Sequence, residues 1–235
     1  RGIGLAITTR LLESAALDTV CASYRDPATA SGLQELNDPR LHRFPVDVTD
    51  EAGLKSFAEE IRRLGIRPKL VIHCAGVLHE PGMRPEKSLR QCDPVTLQRI
   101  FNVNSIGPLM SAKHLVPLMP RRLPSHFAAL SAMVGSIGDN RLGGWYGYRA
   151  SKSALNQFLK TLAIECRRTH PGMCVTAIHP GTTDTELSKP FQGNVRPGKL
   201  YSPGQSAGRI VEVVLAGTAE DSGRFVNWDG TRIPF

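Results

Sequence analysis

The sequence predicts an α/β fold: one doubly wound, mostly parallel sheet with helices on both faces, in a single domain over residues 1–235. Three observations carry this. Short apolar runs of strand length alternate with segments of helical period along nearly the whole chain. Several of those runs end in small residues or in Pro-Gly, as strand tips do where a ligand must be given room. No internal repeat, low-complexity segment or domain-sized linker interrupts the alternation.

Arg1-Gly2-Ile3-Gly4 runs straight into a helical pattern carrying Leu5 and Leu12. Glycines at such a junction permit close backbone approach, and the helix N-terminus behind them favours an anion. A nucleotide-binding turn of this kind normally follows a buried strand, so the fold is expected to lack its first strand here. Thr19 to Tyr24 reads as a short buried strand ending at Arg25-Asp26-Pro27. At that tip a basic residue accommodates a ribose 2′-phosphate, whereas an acid would accept bonds from free hydroxyls; Arg25 favours the phosphate over a merely solvated loop position. Leu41 to Val48 forms the next strand, and Asp47 at its end is a turn residue or an adenine contact. Asp50 caps a helix whose Leu54, Phe57, Ala58, Ile61 and Leu64 share one face. Lys69 to Gly76 is a central strand with a small tip. His73 and Cys74 are adjacent on it, hence on opposite faces, which argues against a shared metal.

The polar stretch from Val77 to Gln91 breaks the pattern. Asp93-Pro94 then starts a helix that passes through Asn102-Val103-Asn104-Ser105-Ile106-Gly107, poor helix formers that suggest a bend, with Asn104 either a buried structural amide or a polar group held for use. Phe127 to Ala132 is another buried strand, opening into Met133-Val134-Gly135-Ser136. The helix from Tyr148 to Arg168 places Tyr148 and Lys152 on one face, four residues apart, so that a phenol stands beside a cation that favours its phenolate. Cys174 to Ile178 leads into His179-Pro180-Gly181 and a long segment, 182–199, expected to form a lid or pocket wall. Ser202-Pro203 caps a last helix, and Arg224 to Trp228 makes the last strand.

Hydrophobic residues at 41% and charged residues at 21% describe a globular chain. The net charge of +8 is diffuse, without a long Lys/Arg tract, which fits a multiply phosphorylated cofactor better than nucleic acid. There is no apolar run of membrane-spanning length. Five cysteines, odd in number and without a CxxC pair, point to reduced thiols and a cytoplasmic setting, although a targeting peptide could precede Arg1.

Together these motifs resemble the short-chain dehydrogenase/reductase family, specifically its carbonyl-reductase-like branch related to C-factor and sniffer, over essentially the whole chain. The resemblance implies a Rossmann-type domain. It implies that Arg1, Gly2, Ile3 and Gly4 are the second half of a cofactor turn, that Asp47 and Val48 contact adenine, and that Cys74, Ala75 and Gly76 lie beside the cofactor. Pro180, Gly181, Thr182 and Thr185 would hold the nicotinamide amide. Tyr148 and Lys152 match the family's Tyr-x-x-x-Lys pair, Lys152 lowering the phenol pKa and holding ribose hydroxyls, and Asn104 its structural and proton-relay asparagine. The family's usual catalytic serine falls at Ala132, leaving Ser131 or Ser136 as the expected substitute. The implied function is hydride transfer between NADP, with NAD the weaker candidate, and a small carbonyl or alcohol substrate. The competing expectation is a cofactor-binding regulatory or scaffold protein of the same fold. Exposed faces of the Asn104 and Tyr148 helices are where a homo-oligomer would pair.

Overall fold

The computed structural model describes residues 1–235, apart from the side chain of Asn194. Helix α1 (Gly2–Leu12) leads to strands β1 (Val20–Tyr24) and β2 (Leu41–Pro45), with a one-turn helix α2 (Ser31–Gln34) between them. Helix α3 (Glu51–Arg63) starts on Asp50, whose carboxylate accepts from the Ala52 amide. It connects to β3 (Leu70–His73). Helices α4 (Pro94–Phe101) and α5 (Gly107–Leu115) follow, then β4 (Ser125–Leu130), α6 (Tyr146–Thr169) and β5 (Met173–His179). The chain closes with β6 (Thr182–Thr183), β7 (Leu200–Tyr201), α7 (Pro203–Ala216) and β8 (Arg224–Asn227).

All pairs of these strands are parallel; β6 and β7 form a small pair of their own, and the rest make two pieces of the expected sheet. One piece pairs β1 with β2, and the other runs β3-β4-β5-β8. No strand among the described residues joins β1 to β3. Helix α1 ties the pieces together: Leu5, Leu11 and Leu12 pack on the Val20, Ala22, Leu33 and Leu41 cluster, while Ile3, Ala6 and Ile7 pack with β4, β5 and α7.

Strand β4 shows why both faces need helices. Its alternate residues Phe127 and Ala129 join Leu155, Leu159 and Ala163 of α6 and Ala112 of α5 on one face. Ala128 and Leu130 join Ala207, Ile210 and Val214 of α7 on the other. Each fully buried Leu or Phe here contributes about 1.5–3 kcal/mol relative to exposure. The expected strands from Leu41 and Lys69 are shorter than their apolar patterns, ending at Pro45 and His73. Beyond those residues the backbone leaves the ladder for the loops that build the site. The long 182–199 segment also contains structure too short for periodicity to announce, the β6–β7 pair. None of the described helices is long and apolar enough to cross a membrane, and all five cysteines are free thiols.

Candidate active site

The carboxyl ends of β3, β4 and β5 open into loops that converge on the first turns of α6. Helix α6 is placed by its buried face, on which Tyr148, Ser151, Lys152, Leu155, Asn156, Leu159 and Ala163 recur at helical spacing. Tyr148 is 8% exposed and Lys152 3%. The Lys152 Nζ lies 5.8 Å from the Tyr148 ring centroid and donates to Leu130 O at 2.8 Å. Among the described residues that carbonyl is its single hydrogen-bond partner, so two further N–H bonds are free to meet a ligand. Gly76 opens the space above them. A Cβ there would sit 3.6 Å from both Lys152 Nζ and Asn104 Oδ1. Gly135 allows the helix to approach, since a Cβ at that position would meet Lys152 Cβ at 2.8 Å.

Asn104 lies in a π-helical turn, Asn102–Ile106, in place of a simple bend. Such turns widen a helix by one residue and often present a group at a site. Its side chain is fully buried and clasps the backbone of one residue: Oδ1 accepts from Val77 N and Nδ2 donates to Val77 O, both at 2.8 Å. The second Nδ2 proton goes to Ser151 Oγ at 3.1 Å, and Ser151 Oγ donates to Tyr148 O at 2.8 Å. The asparagine therefore locks the β3 tip to the start of α6, and its amide protons are all used.

The serines expected to replace the family's hydroxyl point elsewhere. Ser131 Oγ donates to Asn156 Oδ1 at 2.7 Å, and Asn156 Nδ2 donates to Gly135 O at 3.3 Å. Ser136 Oγ accepts from Asp139 N at 3.1 Å. Ala132 is the residue that packs with Tyr148, in a cluster with Leu78, Val134, Trp145, Leu187 and Phe191. The reason is the strand's alternation: Ser131 faces α6 and its neighbour faces the pocket.

This apolar wall decides the electrostatics. Burial pushes the Tyr148 phenol well above its ordinary value of 10, opposite to the lowering expected from Lys152 alone. Burial likewise lowers the Lys152 ammonium from 10.5 to about 8. His73, buried beside Lys152, is lowered to about 3 by desolvation and then by that neighbouring charge; its Nε2 has no partner. Cys74 faces the other way, its Cβ 3.3 Å from where a Cβ on Gly4 would lie, and burial raises its thiol to about 12.

The remaining expected cofactor residues surround the same strand ends. Gly2 has φ +57 and lies against Thr185, whose Cγ2 is 3.5 Å from a Cβ built on that glycine. Ile3 packs into the α7-facing core, and Arg1 is exposed. Ala75 is half-buried beside Gly76. Arg25 is exposed and pairs with Glu80 at 3.6 Å, which also accepts from Arg99 at 3.0 Å. Asp47 accepts from Thr49 N at 2.9 Å and Thr49 Oγ1 at 2.7 Å, a turn. Partial burial opposes its ionisation, but the Thr49 bonds and the charges of Arg25 and Arg99 hold it below the ordinary carboxylate value. Val48 packs with Val77, Ile100 and Val103. Gly181 follows Pro180 at φ +77, a conformation that suits glycine, and has Tyr201 and Trp228 where its Cβ would be. Those two rings lie 5.2 Å apart, and the Arg209 guanidinium packs on both at 4.2 and 4.1 Å.

Sequence reasoning did not single out Leu78, Trp145, Leu187 and Phe191, the apolar residues clustered on Tyr148. The expected lid over 182–199 was the signal for Leu187 and Phe191, the loop before Tyr148 that for Trp145, and Leu78 had none. Phe191 meets Trp145 at 4.9 Å and His79 at 5.8 Å between ring centroids.

The chain is similar to known proteins over its whole length. The family model described as short chain dehydrogenase matches residues 1–195. A Rhodococcus sp. (strain AD45) protein, 1-hydroxy-2-glutathionyl-2-methyl-3-butene dehydrogenase, is 30% identical over 233 residues, covering 98% of this chain and 94% of that protein. The structure of NADPH-bound carbonyl reductase from chicken fatty liver superposes with a TM-score of 0.88 at 27% identity, covering 100% of this chain and 95% of that one. Carbonyl reductase Sniffer of D. melanogaster shares the fold, with a TM-score of 0.87 at 24% identity, covering 100% and 96%.

Proposed function

The chain belongs to the short-chain dehydrogenase family of NAD(P)-dependent oxidoreductases acting on carbonyl and alcohol groups, and from that premise we propose that it is an NADPH-dependent reductase of uncharged, apolar carbonyl compounds. The observation that carries the reading is the buried Tyr148–Lys152 pair facing an apolar wall. The residues present fit the cofactor: Lys152 keeps two free N–H groups for ribose hydroxyls, Gly76 leaves space above them, and Gly2 opens the N-terminal end of α1, which favours an anion. Arg25, with Arg99 nearby, supports a 2′-phosphate and hence NADP over NAD. The NADPH-bound state of the chicken relative supports the same choice.

Bound nicotinamide supplies the hydride. This chain supplies the proton and its placement. Tyr148, kept protonated by burial, donates its phenolic proton to the substrate oxygen as negative charge develops there. Lys152, fixed by Leu130 O, stabilises the phenolate left behind. Asn104 holds the β3 tip and α6 in register through Val77 and Ser151. The wall of Leu78, Ala132, Val134, Trp145, Leu187 and Phe191 excludes water and favours an aryl or alkyl group beside the carbonyl. Five free thiols support a reducing, cytoplasmic setting.

The test is turnover of NADPH against a panel of aryl and alkyl ketones with the wild type and Tyr148→Phe. The variant is expected to lose turnover while binding NADPH with affinity within about twofold of wild type, because the lost group is a proton donor rather than a cofactor contact. Undiminished turnover in the variant would sink the assignment. A second reading, a cofactor-binding protein with weak or no catalysis, is favoured by one observation: Ala132 presents no hydroxyl to Tyr148. NADPH binding without reduction of any panel member would select it.

A further inference from the structure

Glu86 is the buried acid that the chemistry above leaves unused. It is 2% exposed, inside the polar 77–91 connection, and forms no ion pair among the described residues. Its bonds lead 61 residues away, to the beginning of α6. The Glu86 carbonyl accepts from Trp145 N at 2.5 Å, and Oε2 accepts from Gly147 N at 3.2 Å. Oε1 has no hydrogen-bond partner. It lies 2.9 Å from where a Cβ on Gly147 would be, with Leu97 Cδ2 and Ile100 Cδ1 at 2.8 and 3.1 Å from the same point. Only a residue without a side chain at 147 lets the carboxyl group and helix α4 come so close.

A carboxyl group removed from water is costly unless hydrogen-bonded. Here the N-terminal end of a 24-residue helix, with its unpaired amides and positive dipole end, offsets that cost. The same contacts stabilise an unusual backbone. Gly143, Gly144 and Trp145 are consecutively left-handed, with φ +63, +64 and +52, a region disfavoured for a residue with a side chain such as tryptophan. That turn points the Trp145 ring at Tyr148, 6.2 Å between centroids at 75°, and at Phe191, 4.9 Å. Tyr148 is the third residue of α6, within the turn that Glu86 caps.

We propose that Glu86 is a positioning residue for Tyr148: its carboxyl group, holding Gly147 N beside the backbone bond to Trp145, fixes the first turn of α6 and aims the phenol into the pocket. This rests on Tyr148 being the proton donor.

The test pairs turnover with the emission of Trp145, read in a Trp228→Phe background so that Trp145 is the one tryptophan left. Glu86→Ala is expected to shift Trp145 emission to the red and lower kcat at least about tenfold. NADPH affinity should stay within about twofold. Glu86→Gln, which keeps an acceptor for Gly147 N, is expected to retain the emission and most of kcat. Gly147→Ala keeps Glu86 but fills its space, and should reproduce the Ala phenotype. Unchanged emission in Glu86→Ala overturns the proposal. So does an unchanged Gly147→Ala variant, which decides the matter if Glu86→Ala does not fold. Equal loss of kcat, NADPH affinity and thermal midpoint in the Gln and Ala variants also overturns it, because the role would then be general stability. If the wild type reduces no substrate, the proton-donor reading fails, and the emission series still reports whether Glu86 clamps Trp145.

Discussion

Installing a hydroxyl at position 132 tests how the pocket handles the substrate oxygen. Ala132 is 9% exposed and packs with Tyr148, which is 8% exposed, whereas the hydroxyl of Ser131 is spent on Asn156 at 2.7 Å. In Ala132→Ser the new hydroxyl would share the Tyr148 side of the strand and could donate to the oxygen as charge gathers on it. A hydrogen bond to a charged group contributes about 1.5–3 kcal/mol, a gain of roughly tenfold to a hundredfold in kcat. The same hydroxyl lacks a protein partner before substrate binds, which costs about 1–3 kcal/mol of stability. For a chain of this size that lowers Tm by about 2–4 °C per kcal/mol. The assay is initial-rate NADPH consumption with an aryl ketone, alongside thermal unfolding. Ser131→Ala is the counterpart: it strips Asn156 of its donor, so Tm should fall while kcat stays within about threefold. If Ala132→Ser gains nothing and Ser131→Ala abolishes turnover, the oxygen is held from the Ser131 side and the orientation argued from strand alternation is wrong.

Two further perturbations address the cofactor and the buried charges. Arg25→Ala should weaken NADPH binding about tenfold and leave NADH unchanged, a discounted value because Arg25 is half exposed; equal loss for both cofactors in fluorescence titrations would remove the phosphate role. His73 and His179 are lowered by burial to about 3 and about 4, each with a ring nitrogen unpartnered. An unfolded histidine titrates near 6.5, so the unfolded state binds these protons first. The stability that the neutral rings contribute is complete above about pH 6.5 and is lost as pH falls toward 3 to 4. Between pH 7.5 and 5 the loss is about 2 kcal/mol for each histidine. Urea unfolding at the two pH values should show it, and His73→Asn or His179→Asn should each remove about 2 kcal/mol of the difference.

The parts of this molecule legible in the sequence are those set by local repetition. Short apolar runs located the strands around Val20, Leu70, Phe127 and Val175, and the apolar face of α6, read from its helical period, carried Tyr148 and Lys152 inward with it. Ser131 was nevertheless expected to stand in for Ala132, and the structure instead keeps the two on opposite sides, as strand alternation requires. The features that stayed hidden depend on partners distant in sequence. A glutamate in a polar loop is ordinarily solvated, and nothing near Glu86 announces that its acceptor oxygens meet amides 59 and 61 residues on. Leu187 and Phe191 belong to a segment without period, so their seat over Tyr148 follows from the folding of 182–199 and not from its pattern.

The electrostatics of the Tyr148–Lys152 pair show the same limit most sharply. Four-residue spacing puts a cation beside a phenol and suggests a lowered phenol pKa, but spacing says nothing about the dielectric around the pair. The walls supply that missing quantity: desolvation raises the phenol and lowers the ammonium to about 8. One cause therefore serves two ends. In the function proposed above, the apolar surface of Leu78, Ala132, Val134, Trp145, Leu187 and Phe191 both favours an apolar ketone and keeps the Tyr148 proton in place until a carbonyl oxygen arrives to take it.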